Sequence, residues 1–135
     1  MSTRLKEKEF NIMWILLNTE EPLTASQIAS KDESFTVNIV QAILRKLLKM
    51  GLVEVSDIVY SRNVLSRTFA ATEKSTEIIR DMFIDEYRRF LKFVPGEILF
   101  STMLQSDPDL IAHPEEVEKL EEILKHFKEH KKQHS

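Results

Sequence analysis

The stretch that most constrains this chain is residues 34–70. It runs Ser34-Phe-Thr-Val-Asn-Ile-Val-Gln-Ala-Ile-Leu-Arg-Lys-Leu-Leu-Lys-Met-Gly51 and continues through a β-rich segment to Ala70. Val37, Val40, Leu44 and Leu47 recur at helical spacing and line one face. Ser34 or Thr36 can accept from the first free backbone N–H groups, so either residue can start the helix. Gly51 is suited to stop it, because a left-handed residue after a helix costs glycine little. Next, Leu52 to Tyr60 and Val64 to Ala70 read as two strands around a turn at Ser61-Arg62-Asn63. A helix, a glycine stop and a two-stranded ribbon constitute a recognition helix followed by a wing.

The front of that helix carries the chemistry. At about 100° per residue, Asn38, Gln41, Ala42, Arg45 and Lys49 stand roughly opposite the apolar face. Asn and Gln can pair bidentately with adenine, Arg can read guanine or bind phosphate, and Ala can pack on a thymine methyl. Asn38, Gln41, Ala42 and Arg45 are the expected base contacts. Thr36, Lys46, Lys49, Arg62 on the wing turn and Arg67 on its return strand are the expected phosphate or groove contacts.

Charge agrees with this once it is divided. The whole chain of 135 residues is net −3. Residues 1–72 hold nine Lys/Arg against eight Asp/Glu, whereas residues 73–135 hold ten against fourteen. Between positions 36 and 70, Arg45, Lys46, Lys49, Arg62 and Arg67 face only Glu54 and Asp57. Positive charge is concentrated where a DNA contact needs it.

The expected order before this stretch is a first helix from Leu5 to about Asn18 and a short second one. Phe10, Met13, Trp14 and Leu17 form the apolar side of the first, widened by Ile12 and Leu16, with Trp14 as a core anchor. Thr24-Ala-Ser-Gln27 has the pattern of a capping box and starts the second helix, which turns Ile28 inward. Beyond the wing, a long helix is expected from about Ser75 to Val94, ended by Pro95-Gly96. A short helix follows over Glu97–Gln105, and a last one from Glu115 to about Lys131, with Pro114 just inside its start.

The expected fold is therefore mainly α with a small β-wing. A winged helix-turn-helix domain occupies residues 1–72, and helices that pair two chains occupy residues 73–135. The expected dimer seam comprises Ile79, Met82, Phe83, Phe90, Leu99, Met103, Val117, Leu120, Leu124 and Phe127. Met82 and Phe83 read as core or dimer seam, with an effector pocket as the sharper alternative.

Other chemistry finds little footing. Zero cysteines exclude disulfides and any cysteine-based metal site. No glycine-rich phosphate loop or nucleophile elbow is present, so neither an enzyme nor a cofactor is expected. His126, His130 and His134, each four apart, are the one metal-like spacing. Their place in a polar helix end accounts for them without a metal, and no metal site is expected. No apolar run approaches the length that spans a bilayer, so a cytoplasmic protein is expected.

In Glu9-Phe-Asn-Ile-Met-Trp-Ile-Leu-Leu17, Leu23-Thr-Ala-Ser-Gln-Ile28, the segment Thr36 to Glu54, and Glu116-Val-Glu-Lys-Leu-Glu-Glu-Ile-Leu124, the chain resembles the penicillinase-repressor (BlaI/MecI/CopY) family of bacterial winged-helix regulators. The resemblance implies a homodimer that represses by occupying an inverted-repeat operator and that pairs through its C-terminal helices. In the drug-resistance members it also implies a sensor protease as a partner. Asn38-Ile39 and Gln41 depart from the family's usual recognition residues, and Gln105-Ser106 stand where its scissile pair would fall. Two other classes fit the same sequence: a winged-helix protein-interaction module, and a sensor that binds DNA only in response to a ligand or metal.

Overall fold

The computed structural model describes residues 4–61 and 64–133. The chain divides into two compact units, residues 1–86 and 87–135.

The first unit contains α1 (Glu7–Leu17), β1 (Leu23–Thr24), α2 (Ala25–Ala29), α3 (Val37–Lys49), β2 (Val53–Ser61), β3 (Val64–Ala71) and the first turns of α4 (Ser75–Phe90). Its sheet has the order β1-β3-β2, antiparallel throughout. The fold is mainly helical with a small three-stranded sheet, in the order of a winged helix-turn-helix domain.

Local chemistry sets the helix ends. The Thr24 hydroxyl accepts from the Gln27 amide at 3.2 Å, and the Gln27 side chain accepts from the Thr24 amide at 2.8 Å, a complete capping box. Thr36, not Ser34, caps α3 by accepting from the Ile39 amide at 3.2 Å. The Ser34 amide and hydroxyl instead donate to Asp32, each at 2.8 Å, and these bonds hold the Asp32 carboxyl below its usual range. Phe35 and Val40 take the hydrophobic-staple positions around Thr36 and are both buried.

At the other end of α3, the Gly51 amide donates to Leu48 and the Leu52 amide to Leu47. With Gly51 at φ +79°, this is a Schellman stop. The Thr72 hydroxyl donates to the Gly51 carbonyl at 2.7 Å, which fastens the end of the wing to the end of the recognition helix.

The core collects Ile12, Met13 and Leu16 of α1, Ile28 of α2, Val40, Leu44 and Leu47 of α3, Leu52 just before β2, and Val53 and Phe69 of the sheet. Two expectations fail here. Trp14 is not a core anchor: it is 67% exposed, and Phe10 and Leu17 on the same side are each 43% exposed. The buried arc of α1 is Glu9, Ile12, Met13 and Leu16. Both arcs have helical spacing, but the inward one includes a carboxylate and so looks less apolar in sequence. Val37 is also not buried; in the first turn of α3 it lines the groove beside β3.

Strand β1 was not expected, because a two-residue bridge, Leu23↔Phe69 and Thr24↔Thr68, leaves no alternating pattern to read. The register between β2 and β3 shifts between Val55 and Asp57, leaving Ser56 as an extra residue. Such a bulge bends and twists the ribbon. Opposite it, Thr68 and Phe69 are both buried, which breaks simple alternation along β3.

The second unit contains the end of α4, α5 (Gly96–Ser106), α6 (Pro108–Ala112) and α7 (Pro114–Gln133). Helix α4 ends at Phe90, short of Val94, in tight turns where Phe93 and Val94 both donate to the Phe90 carbonyl. Pro95 disfavours helix in the residue before it, and the chain leaves the helix one turn early. The five-residue α6 lies between the two expected C-terminal helices, where no helix was expected. Asp107 caps it by accepting from the Asp109 amide at 3.0 Å, with Pro108 in the first turn. No described residue from 87 to 130 is buried. Among the described residues, no helix is long and apolar enough to cross a membrane.

Candidate nucleic-acid interface

The capped and stopped α3 turns Asn38, Gln41, Ala42, Arg45 and Lys49 together to the surface, and all five are exposed. Opposite them on the helix, Val40, Leu44 and Leu47 anchor it in the core. The side chains that could read bases are thus carried by a rigid element fixed from behind.

Beside this face lies a groove of about 490 Å³ between α3 and β3. Gln41 and Arg45 line one wall and Arg67 the other, with Ser26 of α2 at the same groove. The structure therefore brings Arg67 to the same groove as Gln41 and Arg45 of α3. Val37 and Leu65 add apolar surface to the groove, and Leu65 is 60% exposed. Among the described residues, Arg45, Lys49 and Arg67 have no ion pair. Uncompensated cations on both walls favour an anionic occupant.

Thr36 is exposed, but its oxygen is engaged as the helix cap. Its hydroxyl proton remains able to donate to a phosphate. Arg62 lies outside the described residues.

Lys46 is placed differently from the expectation. Its ammonium sits 2.8 and 3.0 Å from the two Glu9 carboxylate oxygens and donates to the Arg4 carbonyl at 3.4 Å. It projects from the flank of α3 toward α1, about 100° around the helix from Arg45. Burial works against the charged form of Glu9, which is 7% exposed. The hydrogen bond from Lys46, the bond from the Lys6 amide and the two ammonium charges outweigh that burial and hold the carboxyl below its ordinary value. This pair joins α1 to α3 within the domain.

Of the residues expected at a dimer seam, Ile79 and Met82 pack against the core of the first unit, and Phe83 lines a pocket with them. Phe90, Met103, Val117, Leu124 and Phe127 are exposed, while Leu99 and Leu120 are half-buried. His126 and His130 are exposed and His134 lies outside the described residues. Among the described residues, no cluster suited to a metal occurs.

Ser26, which the sequence reading did not single out, is exposed and lines the groove between α3 and β3.

No family model and no curated protein matches the chain. Among solved structures, it is similar to Staphylococcus aureus MarR in complex with salicylate and kanamycin, at 14% identity and a TM-score of 0.48, covering 89% of this chain and 73% of that one. It is also similar to a zinc-responsive MarR family member, ZitR of Lactococcus lactis, at 19% identity and a TM-score of 0.46, covering 78% and 75%. A third likeness is a possible HxlR family transcriptional factor from Thermoplasma volcanium, at 23% identity and a TM-score of 0.44, covering 64% and 75%. At these identities and scores, nothing about function passes from those proteins to this chain.

Proposed function

We propose that this protein is a transcriptional repressor that binds an inverted-repeat DNA operator as a homodimer. The observation that supports it best is the joint exposure of Asn38, Gln41, Ala42, Arg45 and Lys49 on α3, continuous with Arg67 across one groove. α3 lies in the major groove, where Asn38, Gln41 and Arg45 meet base edges and Ala42 packs on thymine methyls. Lys49 and Arg67 hold the phosphates, and Ser26 donates to the backbone beside them.

The dimer rests on α5 to α7. Their exposed side chains include Ile111, Ile123 and Phe127, each more than 60% exposed. Helices without a buried residue cannot offset their ordering entropy alone, and a second copy supplies the missing apolar contact. The seam then comprises Phe90, Leu99, Met103, Val117, Leu120, Leu124 and Phe127. Membership of the penicillinase-repressor family is the finer part of this proposal and rests on the residues that carry the resemblance. A sensor-protease partner has no support from the fold and forms no part of it.

The test is a fluorescence-anisotropy titration of the purified protein against DNA from its own promoter region at several salt concentrations. Tight, sequence-selective binding with a steep salt slope, abolished by Gln41→Ala with Arg45→Ala, is expected. Absence of binding to any duplex at low salt overturns the proposal in favour of a protein-interaction module.

A further inference from the structure

Val37 stands on α3 four residues before Gln41 and eight before Arg45, so the three form one row along the helix, and all three line the groove beside β3. It is 38% exposed, and it belongs neither to the buried core nor to the half-buried apolar side chains packed against that core. The row thus offers an aliphatic group, an amide and a guanidinium in succession, beginning in the first turn of the helix. In a row otherwise suited to hydrogen bonds, the aliphatic member needs a partner of another kind.

We propose, on the reading that α3 enters the major groove of an operator, that Val37 is a further specificity-determining residue: it packs on the C5-methyl group of a thymine. Base edges in the major groove present donors and acceptors, and the thymine methyl is the apolar group among them. Against a donor, an acceptor or a phosphate, Val37 would strip water from a polar group and give no hydrogen bond in return. Against the methyl, apolar surface of both partners leaves water together. The β-branched side chain is stiff at χ1, so little rotamer freedom is lost when the contact forms. Its place at the start of α3 suits this role, because the N-terminal residues of a recognition helix are those that reach base edges. With Arg67 on the backbone and Gln41 and Arg45 at neighbouring bases, the groove seats the duplex against Val37. Ala42 lies about 140° around the helix from Val37, so the two meet different base pairs. Leu65, the exposed apolar side chain on the β3 wall, belongs to the wing and not to this row.

Uracil differs from thymine only by the absent methyl group. The test therefore uses duplexes from the protein's own promoter region in which each thymine in turn is replaced by uracil, titrated with the full chain by fluorescence anisotropy. At one base pair of each half-site, the replacement should weaken wild-type binding about fourfold, the effect of one buried methyl group. In Val37→Ala that difference should vanish, whereas Val37→Ile should keep it and Leu65→Ala should leave it unchanged. The thymine that Ala42 meets should stay sensitive to uracil in Val37→Ala. Thermal melts of the variants separate a lost contact from a lost fold. Selective binding with no effect of uracil at any position overturns the assignment and leaves the operator reading standing. So does an effect that persists in full at every position in folded Val37→Ala, or one that is lost equally in Leu65→Ala. Binding to no duplex at low salt overturns the operator reading itself, and the assignment with it.

Discussion

At Glu9, α1 turns a carboxylate inward and α3 answers it with Lys46. The carboxyl is held below its ordinary value of 4.5, so the folded state binds fewer protons there than the unfolded chain. That contribution is complete above pH 4.5 and is lost as pH falls through the lower folded value. Glu9→Gln should therefore cost about 1–3 kcal/mol at neutral pH, and the gap in melting temperature between wild type and variant should close as pH drops below 4.5. Thermal melts across pH 3 to 7, about four units spanning the carboxylate range, check this; a gap constant with pH would contradict it. Gly51 gives a second test. Its φ of +79° strains any other residue, yet an added Cβ would meet only Ile78 Cδ1, at 3.8 Å. Gly51→Ala should cost about 1–2 kcal/mol from backbone strain alone, read as a lower urea midpoint with an unchanged slope.

At the scale of the element, α3 separates three roles around its circumference. Val40, Leu44 and Leu47 fix it, Lys46 ties its flank to α1, and Asn38 to Lys49 form its front. Lys46 and Lys49 are both basic and three residues apart, but substituting them should have different effects. Lys49→Ala should weaken all DNA sequences alike and flatten the salt slope by about one unit. Lys46→Ala should lower stability by about 1–3 kcal/mol and leave the salt slope unchanged. Gln41→Ala should relax selectivity at one base pair by about 1–3 kcal/mol. Equal salt effects from the two lysines would sink this division. The front face was legible from spacing alone, because helical periodicity is a property of local sequence. The assignment of Lys46 was not, since its partner lies 37 positions away and no local pattern connects them. Trp14 shows the same limit: α1 has two apolar arcs, and only packing against α3 and the sheet selected the one bearing Glu9.

At the scale of the whole molecule, residues 87–135 form a unit whose described side chains include none that is buried up to position 130. If a second copy covers them, the melting temperature must rise with protein concentration, as it does whenever association favours the folded state. Leu124 is 46% exposed in the single chain, so Leu124→Asp should cost the monomer little. In the dimer it places a charge in an apolar seam. Sedimentation of Leu124→Asp should show a monomer, with at least tenfold weaker operator binding because two half-sites are no longer engaged together. A variant that remains dimeric would move the seam elsewhere.

The sequence by itself determined the elements whose causes are local: the capping box at Thr24, the Schellman stop at Gly51, the exposed front of α3 and the ribbon behind it. Tertiary structure alone decided which arc of α1 faces inward, that Lys46 pairs with Glu9, and that Arg67 and Ser26 meet Gln41 and Arg45 at one groove. The two sets differ because caps, stops and helical faces are fixed by residues within a few positions of each other. Grooves and ion pairs are made by residues far apart in the chain, which meet only when burial of apolar surface brings their elements together.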